Sequence, residues 1–303
     1  MKRFKILIWM IFSIFIATVL IVMSLQWSRN NVSELMKWHN SRVSPVIMIP
    51  GSSATENRFD TLVKKLNKGK TNRNKHSLLK IKVTNDDKLH FTGTIRQGDN
   101  EPIIVVGFEN NHDGYSNIKQ QARRFNIAFK ALTNEYQFNN FKAIGHSNGG
   151  LIYTDFLENY YPSYSSRIKI KRLMTIGSPY NFNEKSVHHK TQMLSDFIKN
   201  RSKLPKNLNV YIVAGTQTYN SDGLVPLGSV MAGKYIYQGQ VKHFTTVSVS
   251  GSDAQHSDLP QNDQIIDLIN RYILDSQQIN TNDPQNRRKN PNSSNLNLNG
   301  QNN

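Results

Sequence analysis

The chain has 303 residues, with 38 Lys and Arg against 21 Asp and Glu, and it has no cysteine. The absence of cysteine excludes a disulfide framework, a thiolate metal site and a cysteine nucleophile. The formal net charge of +17 indicates a polyanionic neighbour, such as an anionic membrane surface, a teichoic-acid-like polymer or nucleic acid. The alternative is simply a well-solvated surface. Without its two ends, about 230 residues remain, enough for one sizeable core.

The N-terminal segment is long and apolar enough to cross a membrane. Lys2, Arg3 and Lys5 precede residues 6–25, which carry no charge. As a helix this run would be about 30 Å long, the thickness of the hydrocarbon core of a bilayer. It exceeds the apolar core of a cleavable signal, and residues 22–27 offer no A-x-A-like cleavage site. We therefore predict a single-pass signal anchor at residues 1–27. The alternatives are a cleaved signal, which would make the protein secreted, and a cytosolic hydrophobic end.

The segments on either side of the expected domain are assigned by composition. Residues 28–44 are predicted to be a juxtamembrane linker, with the N-terminus in the cytosol and the rest of the chain exported. At the other end, half of residues 276–303 are Asn or Gln, and apolar side chains are scarce. Such a segment cannot bury enough surface to offset its chain entropy, so we predict a disordered tail.

Between the ends, apolar runs of strand length alternate with segments of helical periodicity. Strands are predicted at 46–49, 78–83, 89–95, 103–106, 141–144, 168–176, 210–215 and 244–249, and helices at 118–136, after residue 150 and at 265–274. This alternation implies an α/β fold over residues 45–275, with a mainly parallel sheet and helices on both faces.

An insertion is predicted at residues 179–205. Its Met193, Leu194, Phe197 and Ile198 would lie on one face of a helix, and several basic residues flank them. The insertion is either a basic lid over the active site or an ordinary surface helix with a solvated charged side. Both interpretations stay open at this point.

Residues 145–150, Gly-His-Ser-Asn-Gly-Gly, lie between a predicted strand and a predicted helix. This context is typical of a nucleophile elbow, a sharp turn that lifts a serine hydroxyl above the edge of a sheet. Gly145 and Gly149 would leave room for the tight crossing of strand and helix, because they lack Cβ. Ser147 is therefore the candidate nucleophile.

A serine hydroxyl needs a base to take its proton, usually a histidine that a carboxylate orients. In this fold the three groups follow the chain order serine, acid, histidine, on loops after successive strands. Asp222 follows the strand 210–215, and His256 follows the last strand. Asp253 is the alternative acid, but it stands only three residues before His256, from where its carboxylate reaches the imidazole less readily.

The other candidate histidines fit the role of base less well. His243 stands at the start of the last strand, which is the wrong end of the sheet. His112, His188 and His189 precede the acid in the chain and are expected at the surface or in the lid. His146 adjoins the nucleophile, but the elbow directs its side chain elsewhere, so we predict a supporting role for it.

A tetrahedral intermediate needs two preorganised N–H donors around its negative oxygen. The residue after the nucleophile, Asn148, would supply one backbone N–H. The loop after the first core strand, residues 50–54, would supply the other from Ser52 or Ser53, and the choice between them is open. No metal and no organic cofactor is expected.

The chain resembles an α/β-hydrolase family of uncharacterised, membrane-anchored surface proteins of Gram-positive bacteria with low GC content, which are similar to lipases and esterases. The resemblance covers about residues 45–275. It rests on His256 and on four motifs, at residues 49–57, 107–111, 145–150 and 221–226. Relatives often carry His-Gly where this chain has Pro50-Gly51. The resemblance implies a serine hydrolase.

Together these features predict a carboxylic-ester hydrolase of the cell surface that proceeds through an acyl-enzyme. The substrate stays open: an ester of a lipid or of an acylated wall component is expected, but peptides and exogenous esters also fit such a site. The alternative is a non-catalytic basic surface protein that binds anionic cell-wall or membrane polymers. Nucleic acid is not an expected partner, because the sequence contains no recognised nucleic-acid-binding module.

Overall fold

The computed structural model describes residues 2–274; the predicted tail at 276–303 lies outside them. The strands are β1 Val46–Ile49, β2 Leu78–Val83, β3 Leu89–Gly93, β4 Ile103–Phe108, β5 Asn140–His146, β6 Lys169–Ile176, β7 Asn209–Thr216 and β8 His243–Ser250. The α-helices are α1 Lys2–His39, α2 Asp60–Leu66, α3 Tyr115–Tyr136, α4 Asn148–Asn159, α5 Gln192–Asn200, α6 Leu227–Met231, α7 Lys234–Tyr237 and α8 Asp263–Tyr272.

The eight strands form one sheet in the order β3-β2-β4-β1-β5-β6-β7-β8. Every neighbouring pair is parallel except β2 and β3, so the single antiparallel strand lies at one edge. The predicted, mainly parallel α/β sheet is therefore confirmed. In such a sheet the carboxyl ends of the parallel strands lie along one edge, and the loops that follow them can meet there.

Helices cover both faces of the sheet, and the side chains of β1 show how. Ile47 and Ile49 point into a core shared with α3, α4 and α5, whereas Val46 and Met48 point into a core shared with α2 and α8. This alternation is the two-residue period of a strand buried on both faces. Of the apolar face predicted for the insertion, Met193, Leu194 and Phe197 are buried in α5 and Ile198 is partly buried. The seven-residue helix α2 was not predicted.

Aromatic rings hold α3 and α4 against the sheet next to β5. The ring of Phe129 on α3 lies 4.9 Å from Phe141 of β5 and 5.1 Å from Phe156 of α4, measured between centroids. Phe125 lies 4.8 Å from Phe156 in an edge-to-face arrangement. Such pairs contribute about 0.5–1.5 kcal/mol each beyond the burial of their area. They fix the direction in which α4 leaves the end of β5.

Helix α1 is, within residues 2–274, the one helix long and apolar enough to cross a membrane by length and composition. It continues to His39 and includes most of the segment predicted as a linker. The side-chain amide of Asn139 donates to the carbonyl oxygens of Trp38 and His39, both at 2.9 Å. The guanidinium of Arg167 lies 5.7 Å from the centre of the Trp38 ring. The end of α1 is thus bound to the amino end of the sheet.

The chain between α1 and β1 is held at the same place. The backbone N–H of Ser44 donates to the carbonyl oxygen of Asn100 at 2.7 Å, and its hydroxyl donates to the side chain of Asn140. Ser44 and Asn100 precede β1 and β4, and Asn140 is the first residue of β5. The amino edge of the sheet therefore adjoins α1, and the carboxyl edge lies about 20 Å away, the length of β5.

Helix α4 is buried along almost its whole length, including two carboxyl groups. The side chain of Glu158 is 1% exposed, and neither of its oxygens has a hydrogen-bond partner. Burial, reinforced by the neighbouring Asp155, raises the pKa of Glu158 to about 9. Burial likewise raises the pKa of Asp155 to about 6. Glu158 is therefore protonated at neutral pH.

The proton held by Glu158 should make the free energy of unfolding depend on pH. Between the ordinary pKa of 4.5 and about 9, the folded protein keeps a proton on Glu158 that the unfolded chain releases, so the free energy of unfolding should fall as pH rises. The slope approaches about 1.4 kcal/mol per pH unit, which amounts to several kcal/mol over the window. Glu158→Gln should remove most of this slope and be more stable than the wild type at about pH 8, as measured by urea denaturation at about pH 5 and 8.

The matched control is Glu135→Gln, on the exposed face of α3. It should retain the wild-type slope. If Glu158→Gln kept that slope as well, the carboxyl of Glu158 would have to be ionised in the folded state.

Candidate active site

Ser147 occupies a strained turn between β5 and α4. Its backbone has φ 52° and ψ −125°, a region that residues with a Cβ rarely adopt. The turn is held from both sides, because the N–H of Ser147 donates to the carbonyl oxygen of Ile176 at 2.8 Å and its carbonyl accepts from the N–H of Gly150 at 3.1 Å. The sharp turn predicted from the motif is present, with the serine at its apex.

Close backbone contacts around the turn explain its glycines. A Cβ on Gly145 would lie 2.5 Å from the carbonyl carbon of Gly149, and a Cβ on Gly149 would lie 2.0 Å from the carbonyl oxygen of Ile49. A Cβ on Gly51, in the loop after β1, would lie 2.6 Å from the Cβ of Ser147. Side chains at these three positions would force the backbone apart, so the loop after β1 lies directly against the serine.

Asp222 and His256 form a buried pair on the loops that follow β7 and β8. The Nδ1 of His256 lies 2.7 Å from Oδ2 of Asp222, and the backbone N–H of His256 donates to the carbonyl oxygen of Asp222 at 2.8 Å. The other carboxylate oxygen, Oδ1, accepts from the N–H groups of Val225 at 2.7 Å and Leu224 at 3.1 Å. Asp222 is fully buried. Its hydrogen bonds fix the carboxylate and direct Nδ1–H of His256 toward it.

Shared neighbours bring this pair to the turn of Ser147. Gly177 follows Ile176, the residue that accepts the N–H of Ser147. A Cβ on Gly177 would lie 3.2 Å from both Oδ2 of Asp222 and Nδ1 of His256. The structure thus collects the three predicted residues at the carboxyl edge of the sheet, on the loops after β5, β7 and β8.

His146 also contacts His256. Its Nε2 lies 3.1 Å from the carbonyl oxygen of His256, and the two ring centroids are 4.9 Å apart. Its Nδ1 is buried without a hydrogen-bond partner. Burial, followed by the nearby His256 and Arg58, holds the pKa of His146 well below its usual range. A neutral His146 with its proton on Nε2 can donate to this carbonyl, and it thereby braces the loop that carries His256.

The alternative acid and bases do not take the places of Asp222 and His256. Nδ1 of His256 contacts Asp222, not Asp253. His243 is the first residue of β8 and lies at the amino edge, and the remaining candidates, His112, His188 and His189, are exposed. Within residues 2–274, no group of three or more His, Asp or Glu side chains is placed to hold a metal ion.

A contact between the loops after β1 and β4 limits which backbone N–H groups beside Ser147 are free to bind an oxyanion. The N–H of Ser53 already donates to the carbonyl oxygen of Asn111 at 2.9 Å, which leaves Ser52 as the candidate donor from the first loop. Asn148 is the first residue of α4, where backbone N–H groups have no partner within the helix. Its side-chain amide donates to Asp113 at 2.7 Å. The bracing roles of Asn111 and Asp113 were not predicted, although Asn111 belongs to the motif at residues 107–111.

A family described as "Alpha/beta hydrolase of unknown function (DUF915)" matches residues 33–276. The chain belongs to this family. A protein from Lactobacillus plantarum described as a cell surface hydrolase is 53% identical; the match covers 76% of this chain and 91% of that protein, with a TM-score of 0.70. A gene product of Listeria innocua is 26% identical over 77% of this chain and 94% of its own, also with a TM-score of 0.70. No curated protein matches significantly.

The predicted fold class and resemblance are therefore confirmed. The protein is an α/β hydrolase with a mainly parallel eight-stranded sheet, and its N-terminal helix is a candidate transmembrane span. The family itself is of unknown function. A fold hosts many reactions, so the reaction has to be argued from the residues of the site.

The strain at Ser147 can be measured. Glycine adopts positive φ without the Cβ clash, so Ser147→Gly should have a free energy of unfolding about 1–2 kcal/mol higher than Ser147→Ala. Urea denaturation of the two variants gives the difference. The same pair at exposed Ser248, in the regular strand β8, should show the opposite sign, because glycine weakens a strand. A more stable Ser147→Ala would contradict the strained turn.

Proposed function

We propose that this α/β hydrolase is a serine hydrolase of carboxylic esters that works through an acyl-enzyme. The observation that carries the proposal is the 2.7 Å contact between Nδ1 of His256 and Asp222, beside a serine held at positive φ. This is the arrangement of nucleophile, base and orienting acid that activates a serine hydroxyl in triad hydrolases. A non-catalytic binding protein would have no use for a buried pair of this kind next to a strained serine.

The proposed reaction follows from which nitrogen of His256 is occupied. Because Nδ1–H donates to Asp222, Nε2 carries the free lone pair and can take the proton of the Ser147 hydroxyl as the oxygen attacks the ester carbonyl. Asp222 stabilises the resulting imidazolium. When the tetrahedral intermediate collapses, the C–O bond to the alcohol breaks, and the alcohol leaves with the proton from Nε2. Water, deprotonated by the same nitrogen, then releases the acid and regenerates Ser147.

The negative oxygen of the tetrahedral intermediate is assigned to two backbone donors, the N–H groups of Asn148 and Ser52. The commitment of the Ser53 N–H to Asn111 supports Ser52 over Ser53. The close approach of Gly51 to Ser147 supports a position beside the reacting carbon. Loss of one such donor typically costs about 10²–10³ in rate.

We also propose that α1 anchors the protein in the cell membrane, with the hydrolase domain outside the cell. The uncharged residues 6–25 and the basic residues before them support a signal anchor. The description of the relative from Lactobacillus plantarum as a cell surface hydrolase agrees with this location.

The position of the site favours an acylated wall component over a lipid of the anchoring bilayer. The end of α1 is bound to the amino edge of the sheet, whereas Ser147 lies at the carboxyl edge, about 20 Å away. A bilayer lipid would have to leave the membrane to reach this serine. An ester on a wall polymer would meet it directly.

The proposed chemistry is tested by substitution at each of the three positions. Ser147→Ala and His256→Ala should each lower turnover of a p-nitrophenyl ester by about 10⁶-fold, and Asp222→Asn by about 10⁴-fold. A fluorophosphonate probe should label the wild type and leave Ser147→Ala unlabelled. The control is Ser257→Ala, an exposed serine next to His256 that should keep both activity and labelling. Equal labelling of Ser147→Ala would exclude Ser147 as nucleophile.

The substrate class is tested with a series of model esters of increasing acyl length, with and without phospholipid vesicles. Short acyl groups on soluble alcohols should be hydrolysed fastest, and vesicles should not raise the rate, because the site faces away from the anchor. Strong activation by vesicles together with preference for long acyl chains would instead assign a lipid substrate and a mobile lid.

A further inference from the structure

A basic cavity of about 790 Å³ lies at the amino edge of the sheet, far from Ser147. Five basic side chains line it: Arg42 after α1, and Lys70, Arg73, Lys75 and His76 between α2 and β2. The proposed reaction uses none of them. Arg42, Arg73 and Lys75 are exposed to solvent, and Lys70 is half-buried. A charged ligand could therefore reach all four cations.

Two carboxylates also line the cavity, but both are engaged within the protein. Asp99 accepts the N–H groups of Ser77 at 2.6 Å and Glu101 at 3.0 Å, and it lies 3.7 Å from Arg96. The carboxylate of Glu101 pairs with the fully buried Lys142. Against the larger, lowering effect of its burial, both carboxylates raise the pKa of Lys70. Because Arg96 and Lys142 offset these two charges, the four cations leave the lining electropositive.

One cation is held in place over the cavity. Nδ1 of His76 lies 2.7 Å from the carbonyl oxygen of Glu101, and its Nε2 lies 2.8 Å from the ammonium of Lys70. His76 therefore donates through Nδ1 and accepts from Lys70 through Nε2. Burial lowers the pKa of Lys70, and burial likewise lowers the pKa of His76. A partly desolvated, oriented ammonium gains more from an incoming anion than a fully hydrated one.

The rest of the lining indicates which kind of anion fits. Two arginines favour phosphate, whose oxygens match the fork of a guanidinium. The exposed neutral polar side chains around them can bond alcohol groups, and they are Thr71, Asn74, Asn100 and Asn270. Apart from the ring of His76, the lining residues include no aromatic side chain on which nucleobases could stack. A chain of polyol units joined by phosphodiesters fits this set better than a nucleic acid.

Given the proposed anchoring of α1, the distance of the cavity from the bilayer favours a polymer over a lipid headgroup as its ligand. If residues 6–25 span the hydrocarbon core, the polar part of α1 from residue 28 to His39 adds about 18 Å of helix. The headgroup layer is only about 5–8 Å deep on each side. Arg42 follows the end of this helix by three residues, so an upright helix holds the cavity beyond the headgroups.

We propose that this cavity binds a polyol phosphodiester polymer outside the bilayer, with Arg42, Lys70, Arg73 and Lys75 pairing with its phosphates. Binding at the amino edge leaves the carboxyl edge, with Ser147, open to esters on the same or a neighbouring polymer. The cavity is a binding site separate from the reaction centre, so it can be tested whether or not the protein hydrolyses esters.

The test measures binding of a fluorescent poly(glycerol phosphate) oligomer to the full chain in detergent by fluorescence anisotropy. The triple variant Arg42→Gln, Lys70→Gln and Arg73→Gln should raise Kd by about tenfold or more. The control removes the same charge at exposed positions elsewhere, Lys64→Gln, Lys82→Gln and Lys130→Gln, and should change Kd by no more than about twofold. Thermal unfolding checks that both triple variants are folded. If the first is not, the exposed pair Arg42→Gln and Arg73→Gln replaces it, with a loss of about threefold or more.

Four results would overturn the proposal. Equal losses in the two triple variants would mean that overall charge, not the cavity, attracts the polymer. Displacement of the oligomer by nanodiscs of phosphatidylglycerol, but not of phosphatidylcholine, would assign the cavity to lipid headgroups. Binding of a thymidine oligonucleotide of equal charge with the same affinity would remove the preference for a polyol. Failure of excess unlabelled glycerophosphoglycerol to displace the fluorescent oligomer would exclude a phosphodiester site.

Discussion

Backbone crowding at the crossing of β5 and α4 is the constraint on which the site depends. Gly145 and Gly149 allow the strand and the helix to touch, and Gly51 allows the loop after β1 to lie against Ser147. With any Cβ at these positions, the serine would be pushed away from the first loop. The same crowding therefore brings the loop after β1 and the first turn of α4 together at Ser147.

The sheet extends this local arrangement to residues far apart in the chain. Because β5, β6, β7 and β8 are parallel and adjacent, their carboxyl ends present the serine turn, Gly177, Asp222 and His256 in sequence along one edge. Because Asp222 is buried, its carboxylate needs every hydrogen bond that surrounds it, including the one from His256. Burial therefore holds the pair in one arrangement. At the amino edge, by contrast, the basic residues Arg42, Arg73 and Lys75 are exposed to solvent.

The sequence predicted those features that chain order and periodicity encode. Ser147, Asp222 and His256 follow three strands in the order that the fold requires, so their meeting at one edge could be anticipated. The seven residues of α2 are too few to show helical periodicity. The buried Glu158 was missed because α4 is enclosed on nearly all sides and presents no polar face to read. The basic cavity combines residues 42, 70–76, 99–101 and 270, which only the fold brings together. The occupied N–H of Ser53 likewise depends on a contact between two loops.

The firm attachment of α1 bears on how the protein explores its surroundings. Asn139 and Arg167 hold the last turn of the helix, and Ser44 holds the chain beyond it, so the joint between helix and domain has little freedom to swing. If α1 anchors the protein in a membrane as proposed, the protein would diffuse laterally and rotate about the axis of α1, while Ser147 stayed at a nearly constant distance from the bilayer. Ser147 would then reach only a thin layer parallel to the membrane, and the length of α1 would set the distance of that layer from the bilayer.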